Sequence, residues 1–257
     1  MNKFYSPSST QASAQYPWAL ITGSAKRLGR TMAINLARQK YNIIVHYHHA
    51  DQATKTLAET IHKLGCRVIT TSQDLSRTDK ITDWCTSLVE QAGQIDLVIN
   101  NASTFIDNSV DNIKPEDLYR DINIHAITPL LIAQQLKAYK QPQHIINMLD
   151  SNIECINTNY LSYNLSKHML KQLTLMLAKS LAPTTRVNAI CPGPVLAPPE
   201  QDTDYLIRQT TQMPLNTMHT NLEEDNLHAI CEAVNYLNNA KQTTGQMVMV
   251  DRGKHLL

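Results

Sequence analysis

The chain has 257 residues, 42% hydrophobic and 18% charged, enough to bury a full core in one large α/β domain. A net charge of +1, from 23 basic and 22 acidic residues, excludes a polybasic footprint for nucleic acid or an acidic membrane surface. No apolar run approaches the ~18 residues of a membrane span, and the five cysteines lack the spacing of a disulfide framework or metal module, which points to thiols in a reducing cytoplasm.

Residues 1–16, MNKFYSPSSTQASAQY, are rich in Ser and Gln and predict a flexible leader ahead of one domain over 17–257. WALIT at 18–22 is the first β-rich run, followed by TGSAKRLG at 22–29 and a helix near 29–40. NIIVHY at 42–47 precedes a helix near 52–64, and RVITT at 67–71 precedes one near 78–91. IDLVI at 95–99 leads to the longest helical stretch, 115–139, and HIINML at 144–149 leads to 160–181. RVNAIC at 186–191 is followed by the Pro-rich CPGPVLAPPEQDTDY and a helix near 223–239, and QMVMV at 246–250 closes the series. Continuous apolar runs alternating with helices predict a Rossmann-like, doubly wound α/β fold, a seven-stranded parallel sheet with helices on both faces. The Pro-rich segment reads as a substrate-covering loop. Met169, Met176, Met213 and Met218 read as packing residues.

TGSAKRLG sits between a strand and a helix, where a phosphate-binding turn belongs, with Gly23 and Gly29 bracketing it and Lys26 and Arg27 inside it. An NAD-preferring site would place an acid at the end of the second strand for the ribose 2′-hydroxyl. Here that strand ends HYHHA, with His48 and His49 and no acid before Asp51. Arg27 and histidines able to carry charge favour a 2′-phosphate, hence NADPH. His46, at an inward alternate position, reads as a polar residue at a strand end. Asp74 offers an acceptor for the adenine amino group, and the short side chains of NNAS (100–103) allow close approach to the backbone.

Tyr163 and Lys167 in YNLSK lie one turn apart on one helix face. A cation there predicts a tyrosine pKa drawn down from ~10. Thirteen residues before the tyrosine stands Asp150. A carbonyl substrate calls for a neutral donor at the developing oxyanion, whereas a carboxyl group suits a ring C=N bond flanked by N–H donors; the alternative for Asp150 is a helix cap. Phe105, one of two phenylalanines, reads either as a stacking platform for a flat substrate or as a core residue.

Together TGSAKRLG, NNAS, YNLSK, RVNAICPGP and TGQMVMVDRG resemble the short-chain dehydrogenase/reductases over residues 17–257. Arg27, HYHHA, Ser103, Phe105 and Asp150 in place of serine resemble the pteridine reductases, and DRGKHLL is similar to bacterial dihydromonapterin reductases. That resemblance implies NADPH-dependent reduction of a dihydropterin of the dihydromonapterin or dihydrobiopterin type, or of dihydrofolate, in a cytoplasmic homotetramer serving tetrahydrofolate metabolism. It makes Tyr163 the proton donor, with Lys167 on the nicotinamide ribose and lowering the tyrosine pKa. Asn123 in DINIHA would support a water-linked proton path to the lysine, beside Asp150. Arg27, His48 and His49 would contact the 2′-phosphate, and Asp74 and Leu75 the adenine. Gly23, Leu28 and Gly29, then Asn101, Ala102 and Ser103, then Pro192 and Gly193, would line the rest of the cofactor, and Phe105 would stack on the pterin. Two positions depart from the pattern: His49 stands where many relatives have arginine, and Arg252 makes DRG of the common DGG. The alternatives are a carbonyl-reducing member, such as a 3-oxoacyl carrier protein reductase, and a non-catalytic NADP-sensing protein.

Overall fold

The computed structural model describes residues 16–49, 52–155, 157–198, 201–202, 204–216 and 221–257. The expected leader up to residue 15, Asp51 and Met218 lie outside them. Tyr16, the last residue of that leader, packs against the core, and its carbonyl accepts from Asn42 Nδ2 at 2.9 Å.

Seven strands run β1 (Trp18–Ile21), β2 (Asn42–Tyr47), β3 (Val68–Ser72), β4 (Leu97–Asn100), β5 (His144–Met148), β6 (Arg186–Pro192) and β7 (Met247–Val250). All pair in parallel, as the alternating pattern predicts, and they lie in the order β3-β2-β1-β4-β5-β6-β7. The helices are α1 (Arg27–Arg38), α2 (Gln52–Lys63), α3 (Ile81–Ala92), α4 (Pro115–Ile122), α5 (Thr128–Ala138), α6 (Leu161–Ser180), α7 (Tyr205–Thr210) and α8 (Leu222–Asn239).

Strand periodicity sorts the core into two layers. Ala19, Ile21, Ile43 and Val45 pack with α1, α2 and α8 on one face. Trp18, Leu20 and Ile44 pack with α3, α5 and α6 on the other. Each fully buried Leu or Ile contributes about 1.5–3 kcal/mol, so the two layers fix the sheet between them. The chain leaves β1 toward β2 on one side and reaches β4 on the other. This switch opens a crevice at the carboxyl ends of β1 and β4, where such sheets bind ligands.

Three local features differ from the sequence reading. The long helix over 115–139 is interrupted by a π segment, Asn123–Ile127, in which the Thr128 N–H reaches back to Asn123 O. Pro129, which has no N–H, cannot supply the next α-helical bond. A short helix, α7, follows the Pro-rich segment where no helix was predicted. Met213 is buried, but Met169 and Met176 are 43% and 66% exposed, because Leu170, Thr174 and Leu177 occupy the inner face of α6. Among the described residues no helix is long and apolar enough to cross a membrane. The cysteines are free, with Cys155 exposed and Cys66, Cys85, Cys191 and Cys231 buried.

Candidate active site

The turn after β1 is built from behind. Gly23, at φ +64°, donates its N–H to His46 Nδ1 at 2.9 Å, and Ser24 N–H donates to the His46 carbonyl at 2.9 Å. Because Nδ1 accepts, the ring proton is on Nε2, 2.9 Å from Gln73 O. Burial pushes His46 down to about 4, so this imidazole is neutral. His46 is therefore the post that holds the turn rather than a spare polar residue. Its only signal in the sequence is a polar side chain at a strand position where the pattern calls for an apolar one.

The other side of the turn leans on NNAS. Thr22 Oγ1 accepts from the Asn101 and Ala102 amides at 2.9 and 3.0 Å, while Asn101 Nδ2 donates to Thr22 O and Gly23 O at 2.9 and 3.2 Å. A Cβ on Gly23 would lie 2.9 Å from Ala102 Cα, and one on Gly29 only 2.4 Å from Gly23 O. These glycines are required by close approach. The Lys26 side chain at the N-cap makes no capping bond to α1 and no acid stands in its first turn, which leaves that end suited to an anion.

A cleft of about 370 Å³ opens here, lined by Lys26, Arg27, Leu28, His48, Asp74 and Leu75 among others. Arg27, itself at φ +52°, donates from Nη2 to Ala197 O at 3.1 Å. His48 lines the cleft with Nε2 3.8 Å from Asp74 Oδ2. His49 does not line it but stacks on His48 at 3.9 Å. Burial works to raise the Asp74 pKa, yet hydrogen bonds from the Ser76 hydroxyl and amide hold it below the usual range.

The cleft continues through Arg27, Leu28, Asn101 and Ser103 into a second space of about 500 Å³ that contains Asp150, Tyr163 and Lys167. Tyr163 donates its hydroxyl proton to Asp150 Oδ2 at 2.8 Å. Asp150 Oδ1 accepts the Asn152 amide at 2.8 Å, so the carboxylate both caps the Ser151–Glu154 turn and faces the tyrosine. Lys167 Nζ donates to Met148 O at 2.7 Å and lies 5.4 Å from the centre of the Tyr163 ring. Burial, then the charge and hydrogen bond of Asp150, push Tyr163 well above the usual phenol range. Burial also pushes Lys167 down to about 8, against the pull of Asp150. The expected lowering of the tyrosine pKa is thus reversed, because burial disfavours the phenolate and, next to it, a carboxylate rather than the ammonium meets the hydroxyl directly.

Asn123 stands apart from this group. Its amide donates to Ser76 O at 3.0 Å and ties the stretch after β3 to the π segment. Phe105 is 57% exposed at the rim, not a core residue. Its ring stacks on Tyr160 at 4.0 Å and meets Tyr163 edge-on at 4.8 Å. Tyr160, held at φ +53° ahead of α6, and Tyr205 at the start of α7 were not singled out in the sequence; the first is placed by a backbone conformation and the second by a helix that local periodicity does not show.

Pro192 and Gly193 form the wall opposite, continuing to Pro198. A Cβ on Gly193 would lie 2.9 Å from Asp251 Cα. Arg252 now has a structural account: it occupies φ +56°, where DGG would place glycine, and its Nε donates to Asn226 Oδ1 at 3.1 Å. Asn226 Nδ2 in turn donates to Pro194 O at 3.1 Å, so Arg252 braces this wall from outside.

The profile of the family described as enoyl-(acyl carrier protein) reductase matches residues 23–255. The 3-oxoacyl-[acyl-carrier-protein] reductase FabG of Staphylococcus epidermidis is 26% identical over 250 residues, covering 93% of this chain and 98% of that protein. Among solved structures, FolM alternative dihydrofolate reductase 1 of Brucella canis, complexed with NADP, aligns with a TM-score of 0.83 and 29% identity, over 95% of this chain and 96% of that one. Its counterpart from Brucella suis, also with NADP, gives 0.85 and 29%, over 95% and 97%.

Proposed function

The chain belongs to the short-chain dehydrogenase/reductase superfamily, and from that premise we propose that it uses NADPH to reduce a dihydropterin, of the dihydromonapterin, dihydrobiopterin or dihydrofolate type, to the tetrahydro form. The observation that carries this reading is the hydrogen bond from the Tyr163 hydroxyl to Asp150. A carboxylate beside the proton donor opposes a developing alkoxide. It suits a ring whose N–H groups can donate to it and whose nitrogen, not oxygen, takes the proton.

The residues present fit a dinucleotide phosphate. The glycine turn packs too closely on NNAS for any side chain, α1 offers an N-terminus that the Lys26 side chain leaves uncapped, and Arg27 and His48 stand at the mouth of the adjoining cleft. Arg27 would hold the 2′-phosphate, Asp74 the adenine amino group, and Lys167 and Tyr163 the ribose of the nicotinamide. NADPH, when bound, supplies the hydride. Tyr163, kept neutral by burial and by Asp150, gives its proton to the ring nitrogen, and Asp150 orients the hydroxyl and the ring N–H groups. Phe105 offers one flat face at the rim. Such positioned acid–base groups contribute about 10²–10⁴-fold.

A second reading, reduction of a 3-oxoacyl thioester, is favoured by the likeness to FabG along nearly the whole chain. NADPH oxidation measured against dihydromonapterin, dihydrobiopterin, dihydrofolate and an acetoacetyl thioester separates the two. Turnover of a pterin at least tenfold above the thioester is the expected outcome, and the reverse order overturns the proposal.

A further inference from the structure

Two titratable side chains behind the cleft have no part in the chemistry above: Asp121 and His125, 0% and 1% exposed. A buried carboxylate is costly unless hydrogen bonds satisfy it, so its partners reveal its role. Asp121 Oδ1 accepts from the Thr104 hydroxyl, and Oδ2 accepts from the Ser162 hydroxyl at 2.5 Å. Ser162 is further fixed by Asn108, whose Nδ2 donates to Ser162 Oγ at 2.8 Å and whose Oδ1 accepts the Ser162 amide at 3.0 Å. Four residues on, His125 Nε2 lies 2.9 Å from Ser103 Oγ and 3.2 Å from the Thr104 amide nitrogen. That amide can only donate, which assigns the ring proton to Nδ1, 2.7 Å from Ser166 Oγ. Ser166 then donates to the Tyr163 carbonyl at 2.6 Å. Burial, then the Lys167 charge, hold the His125 pKa well below its usual range, which keeps this neutral arrangement.

The spacing gives these bonds a common purpose. Asp121 and His125 are four apart on one helical stretch; Ser162 and Ser166 are four apart on α6, with Tyr163 between them. Both connections start from the adjacent residues Ser103 and Thr104, and the next residue, Phe105, reaches the Tyr163 ring. We propose that Asp121 and His125 are positioning residues, forming two parallel hydrogen-bonded rungs, Thr104–Asp121–Ser162 and Ser103–His125–Ser166, that set the gap between the Ser103–Phe105 segment and Tyr163. The proposal rests on the reading of Tyr163 as proton donor. A substrate held between that segment and Tyr163 loses on the order of 10²-fold in rate for a ~1 Å misplacement.

The test compares His125→Phe, Asp121→Asn and Asp121→Ala with the milder Thr104→Val and Ser166→Ala, each of which removes one hydroxyl and serves if a core variant does not fold. The readouts are kcat and KM on whichever substrate the wild-type protein turns over, the Kd for NADPH by fluorescence, and amide exchange over 103–108 and 161–167. His125→Phe and Thr104→Val are expected to lower kcat roughly 10- to 100-fold, with KM and Kd within about threefold and exchange faster in those two segments alone. Asp121→Asn, which keeps an acceptor and gains a donor, is expected to recover most of the rate lost in Asp121→Ala. A kcat within about twofold of wild type in Thr104→Val and Ser166→Ala overturns the proposal, as does a parallel fall of kcat, NADPH binding and melting temperature. If the wild-type protein reduces neither a pterin nor a ketone, the pterin reading falls by itself. Exchange alone then decides the brace, and unchanged exchange in both segments overturns it.

Discussion

The two ends of the cleft grow from the same scaffold, the carboxyl ends of parallel strands, yet they handle charge in opposite ways. At the catalytic end Tyr163 and Lys167 are 7% and 4% exposed, and each is tied to a single acceptor. At the end proposed for the phosphate Arg27 and His48 are exposed, and the buried member, His46, is neutral. A proton donor has to be held in one protonation state against one partner, which burial accomplishes. The proposed phosphate grip needs charge that burial would suppress, so Arg27 stays in solvent while a buried neutral post shapes the turn that carries the amides.

The largest effect is expected at the buried end. Tyr163→Phe should lower kcat by roughly 10²–10⁴-fold, far more than the severalfold rise in the NADPH Kd expected from losing one hydroxyl at the ribose. Asp150→Ala should lower kcat likewise, and because the two groups act as a unit the double variant should lose much less than the product. Asp150→Ser sharpens the contrast, since pterin turnover should fall while ketone reduction holds or rises. Full pterin activity in Asp150→Ser would reduce Asp150 to its bond with the Asn152 amide and break the comparison.

The neutral post gives a pH signature of stability. In the unfolded chain His46 takes a proton near 6.5, but in the fold only at about 4. The unfolded state therefore binds more protons between these values, and stability is full above 6.5 and falls as pH drops toward 4. The loss is on the order of 3 kcal/mol, with His144, pushed by burial down to about 3, adding in the same direction. Urea unfolding at pH 7.5, 6 and 5 should show this slope, and His46→Asn, which keeps an acceptor near Gly23 N–H but does not titrate, should flatten it.

At the exposed end Arg27→Ala should weaken NADPH by about 1.5–3 kcal/mol, tenfold or more, and NADH much less. Fluorescence titration with both cofactors decides it, and equal losses would remove Arg27 from the 2′-phosphate. The smallest effect is expected at Arg252, between the two regimes. Arg252→Gly relieves a left-handed backbone that costs roughly 1–2 kcal/mol but gives up the bond to Asn226, so thermal stability should change by less than about 1 kcal/mol. KM for the pterin should nevertheless rise severalfold as the wall at Pro194 loosens. An unchanged KM would detach Arg252 from the site.

The alternation of apolar runs with helical stretches determined the seven strands and their parallel sheet, because strands buried on both faces read as continuous apolar runs; the order in which they lie, β3-β2-β1-β4-β5-β6-β7, was decided only by tertiary packing. The four-residue spacing of Tyr163 and Lys167 likewise put both on one helix face, since helical period is a local property. Asp150 was visible at its place but not in its double role, capping a turn with one oxygen and facing Tyr163 with the other. The direction of the Tyr163 pKa was not written in the spacing at all: it depends on which charge meets the hydroxyl and how little water remains, and Asp150 and Lys167 come from different elements. The same holds for His46 under the glycine turn, for Tyr160 in its left-handed conformation, and for the stacking of His49 on His48. Periodicity reports how a residue relates to its own element; burial and partner identity arise only when elements distant in the chain close on one another.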